Sequence, residues 1–295
     1  MLSKKQFDIL TTIEKNGSFE TQRQLAESAG MSLGIVNKIL TDLTEVGYIS
    51  NKGITEKGLQ VLEPYRVKRA IFIAAGFGSR MVPITLNTPK PLVRVKGQRI
   101  IDSLLDAVEA IGIEEIYVVR GYLAEQFDQL LYKYPNIQFI ENPVYNEANN
   151  ISSLMCVRSL LQEAYIFDGD MLLRNKDLVT KYQYCTNYLG VPVPVTDDWC
   201  FETKNKRITR ITVGGTNCHQ VIGLSYWTAE DGAKLGKHIA DVYNSPGGKE
   251  KDWDQVPLES YVDEYKIMVR ECTFDDIIEI DTFRELKQLD PTYDV

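Results

Sequence analysis

The stretch Arg69-Ala70-Ile71-Phe72-Ile73-Ala74-Ala75-Gly76-Phe77-Gly78-Ser79-Arg80 decides how the chain is read. Residues 70–75 form an uninterrupted apolar run, the mark of a strand buried on both faces of a parallel sheet. The run stops at a loop carrying two glycines. Glycine lets backbone N–H groups approach a ligand closely, and a row of such donors makes an anion-binding concavity. Arg80 closes the loop, and Pro89-Lys90 follows. One cation is a planar fork and the other a point charge. The pattern predicts a nucleoside triphosphate site at the end of this strand. The spacing is that of neither a P-loop nor a dinucleotide-binding fingerprint, because no Gly-Lys-Ser/Thr and no third glycine follow.

Outward from this loop, strands and helices alternate. Strands are predicted over 70–75, 115–119, 137–141 and 164–168, and helices over 101–111, 123–134 and 150–161. Such alternation gives an α/β fold with a mostly parallel, Rossmann-like sheet and helices on both faces, and ligands sit at the carboxyl ends of its strands. Gly76, Arg120-Gly121-Tyr122 and Asp168-Gly169-Asp170 all fall at those ends. From about residue 185 the pattern turns β-rich, with turns at Gly214-Gly215 and at 245–248. That part is expected to form an acceptor-binding subdomain, completing a domain over 66–295.

Residues 1–65 read differently. Ser3 is placed to cap a helix that buries Phe7, Ile9, Leu10 and Ile13. A second helix spans 21–28. Ser32 begins a third, with Ile35, Val36, Ile39, Leu40 and Leu43 as its apolar stripe. Two short strands around Ile49 and Ile54 and a closing helix over 56–62 complete the unit.

The chain has 295 residues, 44% hydrophobic and 25% charged, an ordinary globular composition. It holds no apolar run long enough to span a bilayer and no signal-peptide core, so a cytoplasmic protein with no membrane partner is expected. Five cysteines without a Cys-x-x-Cys pair read as thiols in a reducing compartment. Two histidines, His219 and His238, leave little room for histidine-based metal or triad chemistry. The net charge is −8, yet residues 1–69 carry 10 basic and 8 acidic side chains. The acidic remainder needs local cations or a metal if it is to bind a triphosphate.

Two resemblances organise these observations. Ala-Ala-Gly-x-Gly-Ser-Arg followed by Thr-Pro-Lys-Pro resembles the signature of the sugar-nucleotide pyrophosphorylase-like (GT-A-like) nucleotidyltransferases. Within that family the chain looks closer to the bacterial choline-phosphate cytidylyltransferases. The stretches that carry this are Gly121-Tyr122-Leu123-x-Glu125-Gln126-Phe127, Tyr145-Asn146-x3-Asn150-x-Ser152-Ser153-Leu154 and Glu279-Ile280-Asp281. Residues 3–63, with Leu40-x-x-Leu43-x-x-x-Gly47-Tyr48-Ile49, resemble a winged helix-turn-helix domain of bacterial transcription regulators.

The first resemblance implies Mg²⁺-dependent transfer of a cytidylyl group from CTP to phosphocholine, with release of pyrophosphate. The product would serve the decoration of lipopolysaccharide or teichoic acid. Arg80 and Lys90 would be the catalytic cations, and Asp170 and Asp281 the metal ligands. Nucleotide contacts would come from Ala74, Ala75, Gly76, Phe77, Gly78, Ser79, Gly121, Tyr122, Asn150 and Ser152. Asp281 also precedes a predicted helix over 283–289, so capping that helix is its alternative role.

All three tryptophans, Trp199, Trp227 and Trp253, lie in the β-rich part, each with acids close in sequence. Aromatic faces beside carboxylates hold quaternary ammonium groups, so these three and Asp254 are the expected acceptor-binding residues. Phosphoethanolamine, an aminoalkylphosphonate and a sugar 1-phosphate remain alternative acceptors. A nucleotide-sensing regulator is the alternative of another class. If the winged-helix unit binds DNA, Ser32, Asn37 and Lys38 on the third helix and Lys52 on the wing would make the contacts. A dimerisation or docking module is the other reading of that unit, and winged-helix domains often pair, so a homodimer is one expected assembly.

Overall fold

The structure is a computed structural model and describes residues 1–19 and 21–294. The chain divides into two compact units, one of Met1–Arg66 with Tyr182–Tyr184, the other of Val67–Lys181 with Cys185–Val295.

In the first unit, α1 (Lys4–Asn16), α2 (Gln22–Ser28) and α3 (Leu33–Glu45) precede a hairpin of β1 (Ile49–Ser50) and β2 (Gly53–Ile54), and α4 (Glu56–Leu62) closes it. Ser3 and Thr21 each form a capping box, with Gln6 and Gln24 returning to their backbone N–H groups. Such caps satisfy N–H groups that a helix start leaves orphaned. The expected stripe of α3 is buried at Val36, Ile39, Leu40 and Leu43. Ile35 is a correction: it is exposed, as is Leu33, because the stripe of a 3.6-residue helix turns away from that position. The aromatic rings of Phe7, Tyr65 and Tyr184 pack together in the core of this unit, Tyr65 stacked on Tyr184.

The second unit follows the order β3 (Arg69–Ile73), a small hairpin of β4 (Arg94–Val95) and β5 (Gln98–Arg99), α5 (Ile100–Ala110), β6 (Glu115–Arg120), β7 (Ile137–Glu141), α6 (Ile151–Val157), β8 (Ala164–Asp168) and β9 (Met171–Leu173). Two long strands, β10 (Asn187–Lys204) and β11 (Arg207–Trp227), then lead to α7 (Ala229–Tyr243), β12 (Met268–Glu271), β13 (Ile277–Glu279) and α8 (Phe283–Leu289). The main sheet has seven strands in the order β10-β12-β11-β8-β3-β6-β7. Its β8-β3-β6-β7 half is parallel, and β11 joins β8 antiparallel, so the β-rich segment extends one edge of the α/β sheet.

Two apolar cores flank this sheet. One gathers Phe72, Phe167 and Tyr165 with Leu104, Leu105 and Val108 of α5. The other gathers Ile71 and Ile166 with Leu154 of α6, Leu235 and Ile239 of α7, and Trp227 and Trp253. Alternate residues of β3 thus feed opposite cores, which explains why the strand is apolar throughout. One expected helix differs. Residues 124–132 wind as successive 3₁₀ turns, entered through Leu123 at φ +45°, outside the α region. No helix among the described residues is long and apolar enough to cross a membrane.

Candidate active site

Strand register brings the predicted loops together. Ile73 pairs with Asp168 on one side and Val119 on the other, so three strands end level. The loops beyond them are tied by backbone bonds: Ala74 N–H to the Val119 carbonyl (2.9 Å), Gly169 N–H to Ile73 (2.9 Å) and Tyr122 N–H to Ala75 (3.0 Å). Gly78 takes a left-handed φ of +67°, and a Cβ there would lie 3.1 Å from Lys90 Cβ and 3.2 Å from Thr85 Cγ2. Glycine is the residue that adopts this conformation without strain. The loop therefore rests against the Lys90 stem, and the Thr85 hydroxyl donates to the Gly78 carbonyl at 2.9 Å.

The second pairing is short. β13 runs antiparallel to β9, with Glu279 opposite Met171, and this lays 279–281 against Asp170. The ammonium of Lys90 lies 2.7 Å from Asp170 Oδ2 and 2.7 Å from Asp281 Oδ1. Arg80 Nη2 reaches the same Asp281 oxygen at 2.8 Å. Burial acts to lower the Lys90 pKa, but the two carboxylates outweigh it and hold it above the ordinary lysine value. For Asp281, burial is likewise outweighed, here by Lys90 and Arg80, and its pKa is lowered. Glu279 is pushed up to about 10, first by burial and then by the neighbouring Asp170 and Asp281 carboxylates.

Asp170, Glu279 and Asp281 each offer a carboxylate oxygen, and the three oxygens lie within 4.8 Å of one another. Asp170 Oδ1 is buried without a hydrogen-bond partner. A hard divalent cation such as Mg²⁺ takes carboxylate oxygens and would satisfy that orphan, so the donor set fits the expected metal.

This cluster floors a cavity of about 400 Å³ lined also by Gly76, Arg80, Asn150, Trp199, Ile211, Val221, Gly223 and a group of further acids. An adjoining hollow of about 340 Å³ is lined by Ala74, Gly76, Gly78, Ser79, Arg80, Lys90 and Asn149. The further acids of the larger cavity are Asp168, Asp198, Asp252 and Asp254. Burial, then the Asp254 and Asp170 charges, lifts the Asp168 pKa well above the aspartate range. Asp254 is pushed up to about 7 by burial, with Asp252 adding to the shift and the Tyr188 hydroxyl, which donates to it, opposing.

Comparisons with known proteins show which family the chain resembles. Residues 70–196 match the MobA-like NTP transferase domain, and residues 2–50 match a winged helix-turn-helix DNA-binding domain. The chain is 34% identical to a 2-aminoethylphosphonate cytidylyltransferase of Lancefieldella rimae, over 76% of this chain and 92% of that protein. It is 30% identical to the choline-phosphate cytidylyltransferase of Streptococcus pneumoniae, over 75% and 96% respectively. The chain belongs to this nucleotidyltransferase family. A solved structure of the S. pneumoniae CTP:phosphocholine cytidylyltransferase superimposes with a TM-score of 0.70, at 30% identity, covering 77% of this nucleotidyltransferase and 99% of that chain.

The structure of the nucleotidyltransferase brings Arg80, Lys90, Asp170 and Asp281 into one cluster, with Ala74, Gly76, Gly78 and Ser79 beside it. Ala75 is buried behind the loop. Phe77 packs edge-on against Tyr122, whose hydroxyl donates to the Thr85 carbonyl at 2.8 Å, so Tyr122 braces the 85–86 turn. Gly121 lies tight against the Tyr145 ring. Asn150 lines the cavity, and its Oδ1 accepts the Trp253 N–H at 2.7 Å.

Four expectations are corrected. Ser152 is 1% exposed and bonds with Asn142 and the Asn149 carbonyl, so it fastens the loop and presents nothing to a nucleotide. Trp227 and Trp253 are 0% and 1% exposed, with their rings packed on Tyr265, on Tyr188 and on each other. They are core residues. Asp281 does not cap α8; Thr282 does, in a capping box with Glu285. Trp199 and Asp254 do line the cavity.

Sequence reasoning gave no site role of their own to Glu279, Asp168 and Asp252. Glu279 ends β13 and Asp281 lies two residues beyond it, and that spacing of two carried the signal. On the winged-helix unit, Ser32, Asn37, Lys38 and Lys52 are all exposed. Asn37 and Lys52 border a groove of about 380 Å³ between α3 and the wing, together with Thr41 and Asn51.

Proposed function

We propose that the protein transfers CMP from CTP to the phosphate or phosphonate of a small acceptor whose other end is a cationic amine, the class that holds phosphocholine, phosphoethanolamine and aminoalkylphosphonates. The observation that carries this is the make-up of the cavity wall, which combines a glycine loop with two cations, a metal-type carboxylate set and the further acids Asp168, Asp198, Asp252 and Asp254.

The acceptor oxyanion attacks the α-phosphorus; that P–O bond forms as the bond to the β-phosphate oxygen breaks, and pyrophosphate leaves. An oxyanion is already a nucleophile, so no side chain has to remove a proton. The chain's part is alignment and neutralisation of charge. The loop amides of 76–79 and Arg80 hold the β- and γ-phosphates, while Lys90 neutralises the α-phosphate and the incoming acceptor. Asp170 and Asp281, with Glu279 beside them, would hold Mg²⁺, which supplies Lewis-acid stabilisation of the phosphoryl oxygens. Preference for CTP is supported by the cytidylyltransferase relatives.

The test is pyrophosphate release with Mg²⁺ across CTP, UTP, ATP and GTP, each against phosphocholine, phosphoethanolamine, 2-aminoethylphosphonate and glucose 1-phosphate. Turnover confined to CTP and amino-phosphorus acceptors is expected. A hexose phosphate as best acceptor sinks the proposal.

The match to a DNA-binding winged helix supports a second activity in the first unit. Ser32, Asn37 and Lys38 would enter the major groove and Lys52 would meet the backbone. Phosphate contacts make such binding salt-dependent. Replacing Lys38 or Lys52 by Ala should each reduce the salt slope of operator binding by about one. Failure to retain the protein's own promoter DNA at low salt would refute it.

A further inference from the structure

We infer that the acceptor's amine is an N–H-bearing ammonium, held through hydrogen bonds by Asp168, Asp252 and Asp254, and that a trimethylammonium head group is disfavoured. This rests on the reading of the site as a cytidylyl-transfer site for amino-phosphorus acceptors.

The two ways of holding an organic cation leave different walls. A quaternary ammonium has no N–H and is held by aromatic faces. A primary ammonium brings three donors and is held by oxygen acceptors. Trp227 and Trp253 are sealed in the core, which leaves Trp199 as the tryptophan on the cavity wall. Beside it the wall carries Ile211, Val221 and Gly223 and the carboxylates of Asp168, Asp198, Asp252 and Asp254.

Asp168 is the sharpest case. It lines the cavity, and among the described residues none donates a hydrogen bond to its side chain. The chain keeps room for it at Gly223 on the neighbouring strand: a Cβ there would stand 2.1 Å from Asp168 Oδ2. A bound acceptor that displaces water from this carboxylate must offer it donors as well as a counter-charge. A trimethylammonium group supplies the charge and leaves the oxygen lone pairs unmet. A primary ammonium supplies both. Asp254 already takes one donor from Tyr188, and Asp252 stands two residues away on the same loop.

The experiment is a methylation series with Mg²⁺ and CTP: phosphoethanolamine, its N-methyl and N,N-dimethyl derivatives, and phosphocholine. The neutral isostere 3,3-dimethylbutyl phosphate controls for size. kcat/KM should fall along the series, with a further loss of about tenfold or more at the last methyl, where the final N–H disappears; one lost charged hydrogen bond is worth that much. Asp254→Asn should compress the phosphoethanolamine-to-phosphocholine ratio, a readout independent of the fraction of protein folded. Phosphocholine equal to or better than phosphoethanolamine overturns the inference while leaving the proposed function standing. No turnover with any member, alongside turnover of a hexose phosphate, overturns the proposed function and the inference together. Silence with every acceptor is resolved by calorimetry with a non-hydrolysable CTP analogue and Mg²⁺. There, binding of phosphoethanolamine over phosphocholine supports the inference and its absence refutes it.

Discussion

Lys90 and Asp281 form an ion pair at 2.7 Å, and the same ammonium lies 2.7 Å from Asp170. The lysine thus stands between two of the three carboxylates suited to a divalent cation. Lys90→Met should lower kcat by about 10² or more, the usual loss when a charge-stabilising group is removed from such a site. The same variant should bind Mn²⁺ more tightly than wild type in the absence of nucleotide, read by the paramagnetic resonance of free Mn²⁺. Weaker Mn²⁺ binding would show that the lysine does not compete for those oxygens.

Asp170→Asn and Asp281→Asn should each reduce turnover by about 10² or more, since Lewis-acid stabilisation is worth several kcal/mol and each 1.36 kcal/mol is a factor of ten. Far-ultraviolet circular dichroism should be unchanged. Retained turnover in either variant removes that residue from the metal set.

Asp254 carries a pH signature. An ordinary aspartate titrates near 3.8, whereas this one is pushed up to about 7. Between those values the folded protein keeps a proton that the unfolded chain has released. The stabilisation is therefore full below about pH 3.8 and is lost as pH rises through about 7. Asp254→Asn removes the titration but keeps an oxygen for Tyr188. The melting temperature of the variant relative to wild type should rise from pH 5 to pH 8. A difference that is flat across this range contradicts the assignment.

Thr282 caps α8 and exchanges bonds with Glu285, whose Oε2 also accepts the Asp281 N–H at 2.8 Å. Thr282→Ala should cost about 1 kcal/mol. Because the capping box also fixes the Asp281 backbone, kcat should drop along with the melting temperature, whereas Ser3→Ala should lower stability alone.

The parallel half of the sheet was legible because its signals are local. Apolar runs of four to six residues ended at Gly76, Arg120-Gly121 and Asp168, which marked the site edge and the cations Arg80 and Lys90, while the roles of Asp170 and Asp281 came from the family resemblance. The tryptophans were not legible in the same way. Proximity to acids in sequence says nothing about the direction of a side chain. Trp199 lies where β10 and β11 slip register repeatedly between Thr196 and Thr203, which breaks the period-two alternation that would tell inside from outside. Trp253 sits in a loop whose orientation is set by a distant partner, Asn150. Glu279 was hidden for a milder reason: its role appears only once β13 is paired with β9.

The β10–β11 hairpin supplies Trp199, Ile211, Val221 and Gly223 to the cavity, while the glycine loop, Lys90, Asp170 and Asp281 all come from other segments. The wall that would meet the organic end of an acceptor is thus assembled from this hairpin, the end of β8 and the 252–254 loop. Drift along that hairpin can reshape the apolar part of the wall, whereas Asp168 stands two residues from Asp170, so the acid that would meet the acceptor and the carboxylate suited to a metal are tied to one turn of chain.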